Sequence, residues 1–398
     1  MSSSPRVFVS ASAAEPFAAA PLSRLLRPYL SATFEGGFIP GVNVFGWSSL
    51  GPQARMAGPF MSPAWAPIAA AGRFERLPVT YHGFARRVAS GTYAAGLFMV
   101  SPPDQDGLCS FGPTVDFATS ALARCAIRIG VINSSLPRLP GSPTVAVSTF
   151  DELLELDTPL VEYAVRPPGE IEAQIVAHLT ALIPDGAVLQ GGIGRLGDAL
   201  WTGLTGKTGL SLHSGMICDP VADLIADGVF DRVTTGSLLG SRAFYARAAG
   251  LAKIRMAPAL QTHDVARLAE IPNFVAVNSA IEVDLLGQVN AEWVDGVAIS
   301  GPGGLPDFIR GAHLSRGGLP IVALGSAARG GSISRIVPRL STPPTLTAID
   351  AGVVVTEHGA ADLRSLDVEA RAMALIEIAA PDHRLALQQA WRRGVSSS

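Results

Sequence analysis

Along most of the chain, short β-branched runs alternate with Gly or Pro turns and Ala/Leu-rich helical stretches, and this texture constrains the fold more than any other feature. Val188-Leu189, the turn from Gly191 to Gly197 and the helical stretch Asp198 to Leu204 make one such unit. Ala126 to Ile132 and Pro320 to Leu324 read as further strands, apolar enough to be buried on both faces. Strand–turn–helix alternation predicts an α/β chain of mainly parallel sheets flanked by helices. With 398 residues, 48% of them apolar, the chain can bury a sizeable core in more than one domain. The break falls at Tyr163 to Gly169, where Arg166-Pro167-Pro168-Gly169 separates two patterned regions. Helical spacing of Ile171, Ile175, Val176, Leu179 and Leu182 then opens the second region. The expected domains are 1–165 and 166–398. The first 75 residues, full of Gly, Pro and aromatic side chains, show no readable pattern.

Charge excludes several classes. Charged residues make up 16% and the formal net charge is −3. A disordered chain needs low hydropathy and high charge, and a nucleic-acid protein needs a basic footprint. No run approaches the ~18 apolar residues of a membrane span. Ala11-Ser12-Ala13 resembles a leader-cleavage site, but Glu15 and Pro16 interrupt the apolar stretch, so no secretory leader is expected and the compartment expected is the cytoplasm. Cys109, Cys125 and Cys218 are too few and too scattered for a disulfide framework or a zinc site, and no metal is expected.

Several motifs promise chemistry that their context withholds. Gly192-Ile193-Gly194-Arg195-Leu196-Gly197 matches the dinucleotide fingerprint between a strand and a helix. That motif also needs an acid at the end of the next strand for the ribose hydroxyls. Here the next strand, Leu210-Ser211-Leu212, ends in His213-Ser214, so a nicotinamide site is not expected. Thr205-Gly206-Lys207-Thr208 fails as a phosphate loop because Trp201 stands where its first glycine belongs. The seven histidines form no i, i+3 or i, i+4 pair and read as surface or core residues. Cys218 beside Asp219 reads as a buried, unreactive thiol.

One segment stands apart. In Phe274 to Asn290, Ile281, Val283 and Leu285 alternate with Glu282, Asp284 and Leu286, which predicts a strand with one acidic edge. Glu282 and Asp284 then share a side, about 7 Å apart. Gly287-Gln288 would make the turn. The alternation alone favours a solvated face on an edge strand. Glycine-rich loops follow closely at Gly301-Pro302-Gly303-Gly304, Arg316-Gly317-Gly318 and Arg329-Gly330-Gly331-Ser332. Such loops expose backbone N–H groups to anions, and a carboxylate near them suits acyl chemistry on a negatively charged ligand.

On these residues the chain resembles the acetyl-CoA hydrolase/transferase family, in particular its 4-hydroxybutyrate CoA-transferase branch. The resemblance runs from about Phe74 to Arg384. It includes Val100-Ser101-Pro102-Pro103-Asp104, Asn133 with Leu136-Pro137-Arg138, and Ile183-Pro184-Asp185-Gly186. It is densest at Asn278 to Leu285 and Gly287 to Asn290, and continues through Gly303-Gly304, Asp307-Phe308, Ser334 to Pro338, Val355-Thr356-Glu357 with Gly359, and Ala361 to Arg364. It implies a two-domain CoA-transferase-like fold, no tightly bound cofactor, and a homodimer. It also implies acyl-CoA and a small carboxylate as substrates, with neither nucleic acid nor membrane as partner.

By this resemblance Glu282 is the catalytic nucleophile. Its carboxylate would open the thioester and carry CoA as a glutamyl-CoA thioester until a second carboxylate, or water in a hydrolase, turned it over. Asp284 is the rival nucleophile. Gly303, Gly304, Val355 and Gly359 are the expected CoA-binding positions, with oxyanion donors at the glycines. A chain that only binds acyl-CoA is the third reading. Five departures bear on substrate choice. Gly215 stands where a glutamate is usual, Gly197 where a proline is, Asp106 where a histidine is, His358 where a tyrosine is, and Ala380 where a histidine is.

Overall fold

The computed structural model describes residues 4–16 and 20–395. Two large sheets organise them. The first contains β1 (Arg6–Val9), β2 (Thr33–Glu35), β3 (Arg55–Gly58), β4 (Phe74–Arg76), β5 (Tyr93–Val100), β7 (Cys125–Asn133) and β9 (Glu152–Leu156), while β6 (Leu108–Ser110) and β8 (Thr144–Ala146) pair with each other outside it. Its order is β4-β3-β2-β1-β5-β7-β9, and every pairing is parallel. The unpatterned first 75 residues therefore supply half of a sheet. Their strands are only three or four residues long, too short to show periodicity. Of the leader-like segment, residues 1–3 and 17–19 lie outside the described residues, and β1 within it is a buried strand of this sheet.

The second sheet contains β10 (Val188–Gly191), β11 (Leu210–Ile217), β12 (Phe230–Leu238), β13 (Ile254–Met256), β14 (Phe274–Ser279), β19 (Leu319–Ala323), β23 (Val353–Thr356) and β24 (Gly359–Asp362). Its order is β13-β12-β11-β10-β14-β19-β23-β24, parallel except at β24. Between β14 and β23 the chain makes three small sheets. β15 (Glu282–Asp284) lies between β16 (Val289–Asn290) and β22 (Ile336–Val337), β17 (Trp293–Val294) pairs with β18 (Val297–Ala298), and β20 (Ala327–Ala328) pairs with β21 (Ile333–Ser334). The chain is thus α/β with two mainly parallel sheets, as the alternation predicted. The helix expected after the break forms at Glu170–Leu182 and buries Ile175, Val176 and Leu179.

In each sheet the strand order reverses beside the founding strand. β1 has β2 on one side and β5 on the other, and β10 has β11 on one side and β14 on the other. Such reversals leave a crevice at the carboxyl ends of the strands, because the connecting segments depart in opposite directions. Where the two sheet bodies meet, the Val115 N–H donates to the Gly236 carbonyl, and the Tyr81 N–H donates to that of Gly303.

A buried charge cluster ties the first sheet together. The Glu35 carboxylate at the end of β2 is fully buried and contacts Arg6 from β1 at 2.9 Å. Arg87, from the helix Tyr81–Ser90, lies 3.1 Å from it, and the Tyr93 hydroxyl of β5 donates to it at 2.9 Å. Removing the carboxylate leaves two guanidinium groups and a phenol with no acceptor. Glu35→Ala is therefore expected to cost about 3–5 kcal/mol, with Glu35→Gln costing less. Urea denaturation midpoints of the three proteins check this.

Candidate active site

The principal cavity, about 660 Å³, lies where the carboxyl ends of both sheets face each other. From the second sheet come Gln190 and Gly191 on β10, Ser214 to Met216 on β11, and Asn278 on β14, the two sides of the strand reversal. From the first sheet come Ile39 to Val42, which follow β2, and Phe60, which follows β3. Tyr81, His263, Leu305 and Phe308 complete an apolar wall. One wall can thus take an acyl chain, while the other is built from backbone and amide groups.

The polar wall is the glycine run that failed as a dinucleotide fingerprint. Gly192, Ile193, Gly194 and Arg195 all line the cavity, and the helix Arg195–Thr202 begins there. Gly194 has φ +100, which a residue with a side chain rarely adopts. A Cβ on Gly197 would stand 2.2 Å from the Gly192 carbonyl oxygen, so any side chain there would force the loop to shift from its helix. Tyr163 braces this turn. Its hydroxyl accepts from the Gly194 N–H at 3.0 Å and donates to Asp198 at 2.8 Å. Burial pushes the Asp198 carboxyl up. Asn278 donates to Gln190 at 2.8 Å, and the Ser214 hydroxyl donates to the Gly191 carbonyl at 2.8 Å.

The cavity also holds charge. Its lining carboxylates are Glu162 and Asp198, and both are engaged, Glu162 by the Arg242 N–H at 3.1 Å and Asp198 by Tyr163. Its lining cations are Arg195, which pairs with Glu172 at 2.9 Å, and the exposed Arg166. Among the described residues no group of three or more His, Cys, Asp or Glu side chains could hold a metal. Cys218 is buried with its thiol pushed up by desolvation, consistent with an inert packing residue.

These features belong to a chain with close relatives of known type. The sequence signature described as the acetyl-CoA hydrolase/transferase C-terminal domain matches residues 240–391. The chain is 36% identical to the 4-hydroxybutyrate coenzyme A transferase of Clostridium kluyveri over 316 residues, covering 75% of this chain and 72% of that protein. The chain belongs to the acetyl-CoA hydrolase/transferase family. Among solved structures of similar fold, RipA from Yersinia pestis matches with a TM-score of 0.90 at 27% identity, over 99% of this chain and 94% of that one. The 4-hydroxybutyrate CoA-transferase from Porphyromonas gingivalis matches with a TM-score of 0.79 at 28% identity, over 98% and 93% of the two chains.

Against this family's expected site residues the geometry is selective. Gly304 lines the cavity; Glu282, Gly303, Val355 and Gly359 are not among the lining residues. Glu282 sits on the three-residue β15, in register with Asn290, whose side-chain N–H donates to its carboxylate at 3.1 Å. Val355 is wholly buried in β23, where its side chain packs in the core. Gly359 opens β24 at φ +140, paired with Thr356. Gly303 has φ +55, and its carbonyl is taken by the Tyr81 N–H. Of the five departures from the family pattern, only Gly215 lines the cavity.

The expected acidic edge also resolves differently. β15 is the middle strand of its small sheet, not an edge, and Asp284 is fully buried. Its carboxylate accepts from the Leu286 N–H at 3.1 Å and from the Gln288 main chain and side chain at 2.9 and 2.8 Å, and the Leu340 N–H also reaches it. It organises the turn at Gly287, which has φ +88. The residue that periodicity and spacing missed is His263, a lone histidine in the apolar wall. Asp284→Ala is expected to lower stability by about 3 kcal/mol, because it strands buried donors. Glu282→Gln, half-buried and keeping an acceptor, should cost less than about 1 kcal/mol. Chemical denaturation of both variants measures the contrast.

Proposed function

We propose that this chain is a CoA-transferase that takes CoA from a short acyl-CoA and passes it to a small carboxylate, with the thioester lying in the inter-sheet cavity. The observation that carries this reading is the two-sided cavity at the strand reversal: a glycine loop at a helix start with Arg166 beside it, opposite a wall of apolar side chains. A glycine loop opening a helix receives anionic groups such as the phosphates of CoA, because N–H groups there lack partners inside the helix; with the Gly194 N–H taken by the Tyr163 hydroxyl, the phosphates would meet the neighbouring N–H groups. The apolar wall would receive the acyl chain. The relatives' names describe transfer between an acyl-CoA and a carboxylate, and the family description includes hydrolysis.

Hydrolysis is the second reading: at position 215, where the family usually carries a glutamate, this chain lines the cavity with a glycine and so brings no carboxylate there. The glutamyl-CoA route through Glu282 rests on the match of residues alone, since Glu282 lies off the cavity lining and is held by Asn290.

Incubating the protein with acetyl-, butyryl- and succinyl-CoA, with and without added carboxylates, tests the reading. The expected result is loss of thioester, with a new acyl-CoA formed when transfer dominates and free CoA when water wins. No reaction or binding across the panel would overturn it. Intact-mass analysis tests the nucleophile separately: a borohydride-sensitive CoA adduct on the parent that disappears in Glu282→Gln, together with a large fall in rate, supports the glutamyl route, and turnover retained within about threefold overturns it. Arg166→Ala is expected to raise KM for acyl-CoA about tenfold, equivalent to about 1.4 kcal/mol, with kcat unchanged.

A further inference from the structure

Two glycines of the cavity wall have no backbone reason to be glycine. Gly215 lies within the extended strand β11, and Gly304 precedes the helix Leu305–Leu314 at φ −86, an ordinary value for any residue. What they share is a neighbour. A Cβ on Gly215 would stand 2.7 Å from both Cε1 and Nε2 of His263, and a Cβ on Gly304 would stand 2.6 Å from its Cδ2 and 2.7 Å from its Nε2. Real Cβ atoms do not come so close. The outer edge of the imidazole therefore occupies space that two missing side chains leave, and all three residues line the cavity.

The ring is also fixed and its proton can be placed. His263 lies between the rings of Tyr81 and Phe308, each with its centroid 4.5 Å away. Its Nδ1 is 2.9 Å from the hydroxyl oxygen of Thr262, which is fully buried. A buried hydroxyl needs an acceptor, and Nδ1 is the partner this one has. Donation from Thr262 to Nδ1 puts the single proton of the neutral ring on Nε2, at the edge beside Gly215 and Gly304. Burial, with His213 and His82 nearby, holds the ring well below the usual histidine range, so it stays uncharged.

We propose that His263 is a catalytic residue whose Nε2–H, together with the main-chain N–H of Gly304, donates to the carbonyl oxygen of the bound thioester and holds the oxyanion formed on attack. This rests on the cavity being the acyl-CoA site. As the nucleophile bonds to the carbonyl carbon, the C=O electron pair moves onto the oxygen held by these donors. The pair then returns, the C–S bond breaks and CoA leaves as thiolate. When water attacks, its proton ends on that thiolate. When a carboxylate attacks, the thiolate opens the resulting mixed anhydride at the other carbonyl, and the original acyl group leaves as a carboxylate. His263 keeps its proton throughout. A neutral imidazole suits this task because it donates a hydrogen bond without surrendering a proton. Any side chain at position 215 would have to displace it.

The test uses the full chain and a non-cleavable ketone analogue of acetyl-CoA, with a methylene between sulfur and carbonyl. Its infrared carbonyl band should move to lower frequency on binding the parent protein, and most of that shift should vanish in His263→Phe, which keeps the stacked ring but lacks the donor. With a cleavable acyl-CoA, His263→Phe should lower kcat about 100-fold with KM within about threefold, and His263→Gln should restore part of the loss. An unchanged carbonyl band on bound analogue, or an unchanged kcat, overturns the proposal while leaving the cavity reading intact. Should His263→Phe fail to fold, nitrogen NMR of the parent with labelled histidine decides the point. A proton on Nε2 whose signal moves on analogue binding supports the role, and a proton on Nδ1 overturns it. An analogue that does not bind the parent overturns the cavity reading and the proposal with it.

Discussion

The reversal of strand order beside β10 is the constraint on which the rest depends. From β10 the chain builds outward through β11, β12 and β13, then returns to β10's other flank as β14 and continues through β19 and β23. The segments leaving the carboxyl ends of β10 and β14 must part, so nothing from the second sheet can roof the gap between them. The first sheet, with its own reversal at β1, lays the loops after β2 and β3 across that gap. Position, depth and two-sided polarity of the cavity follow from this arrangement before any reactive side chain is considered.

Within that frame, the chain controls its chemistry by what it leaves out. The carboxylates near the site are either engaged or removed from it: Asp198 braces a turn through Tyr163, Asp284 gathers turn N–H groups, and Glu282 is held by Asn290. Gly215 and Gly304 make room for an imidazole edge in their place. Trading a charged side chain for a neutral donor changes the character of the site, because a fixed neutral dipole stabilises developing charge without repelling an anionic substrate.

The α/β class, the helix at Glu170–Leu182 and the strands at β7, β10 and β19 were legible because each is long or apolar enough to carry its own period. The four strands of the first 75 residues were not, since a run of three or four residues between glycines and prolines has no measurable alternation. The acidic edge misled for a related reason. Alternation from Ile281 to Leu286 reads as one strand with a shared acidic side, whereas the ladder spans only three residues, and pairing on both flanks buries Asp284 and turns Glu282 toward Asn290. The glycine run at Gly192 was found and set aside as a nicotinamide site, and its place in the cavity wall shows only in the folded chain. His263 carried no signal along the chain, because its meaning comes from Gly215 and Gly304, 48 and 41 residues away. Only folding brings them together.

The charge cluster at Glu35 reaches further than the sheet it holds. It clasps Arg6 from the first strand and Arg87 from the helix Tyr81–Ser90, and that helix begins with the very ring that packs on His263. The amino-terminal strand and the cavity wall are therefore joined by one continuous chain of contacts, from guanidinium through carboxylate and helix to imidazole. Residue 6, far from the cavity along the chain, is one end of it.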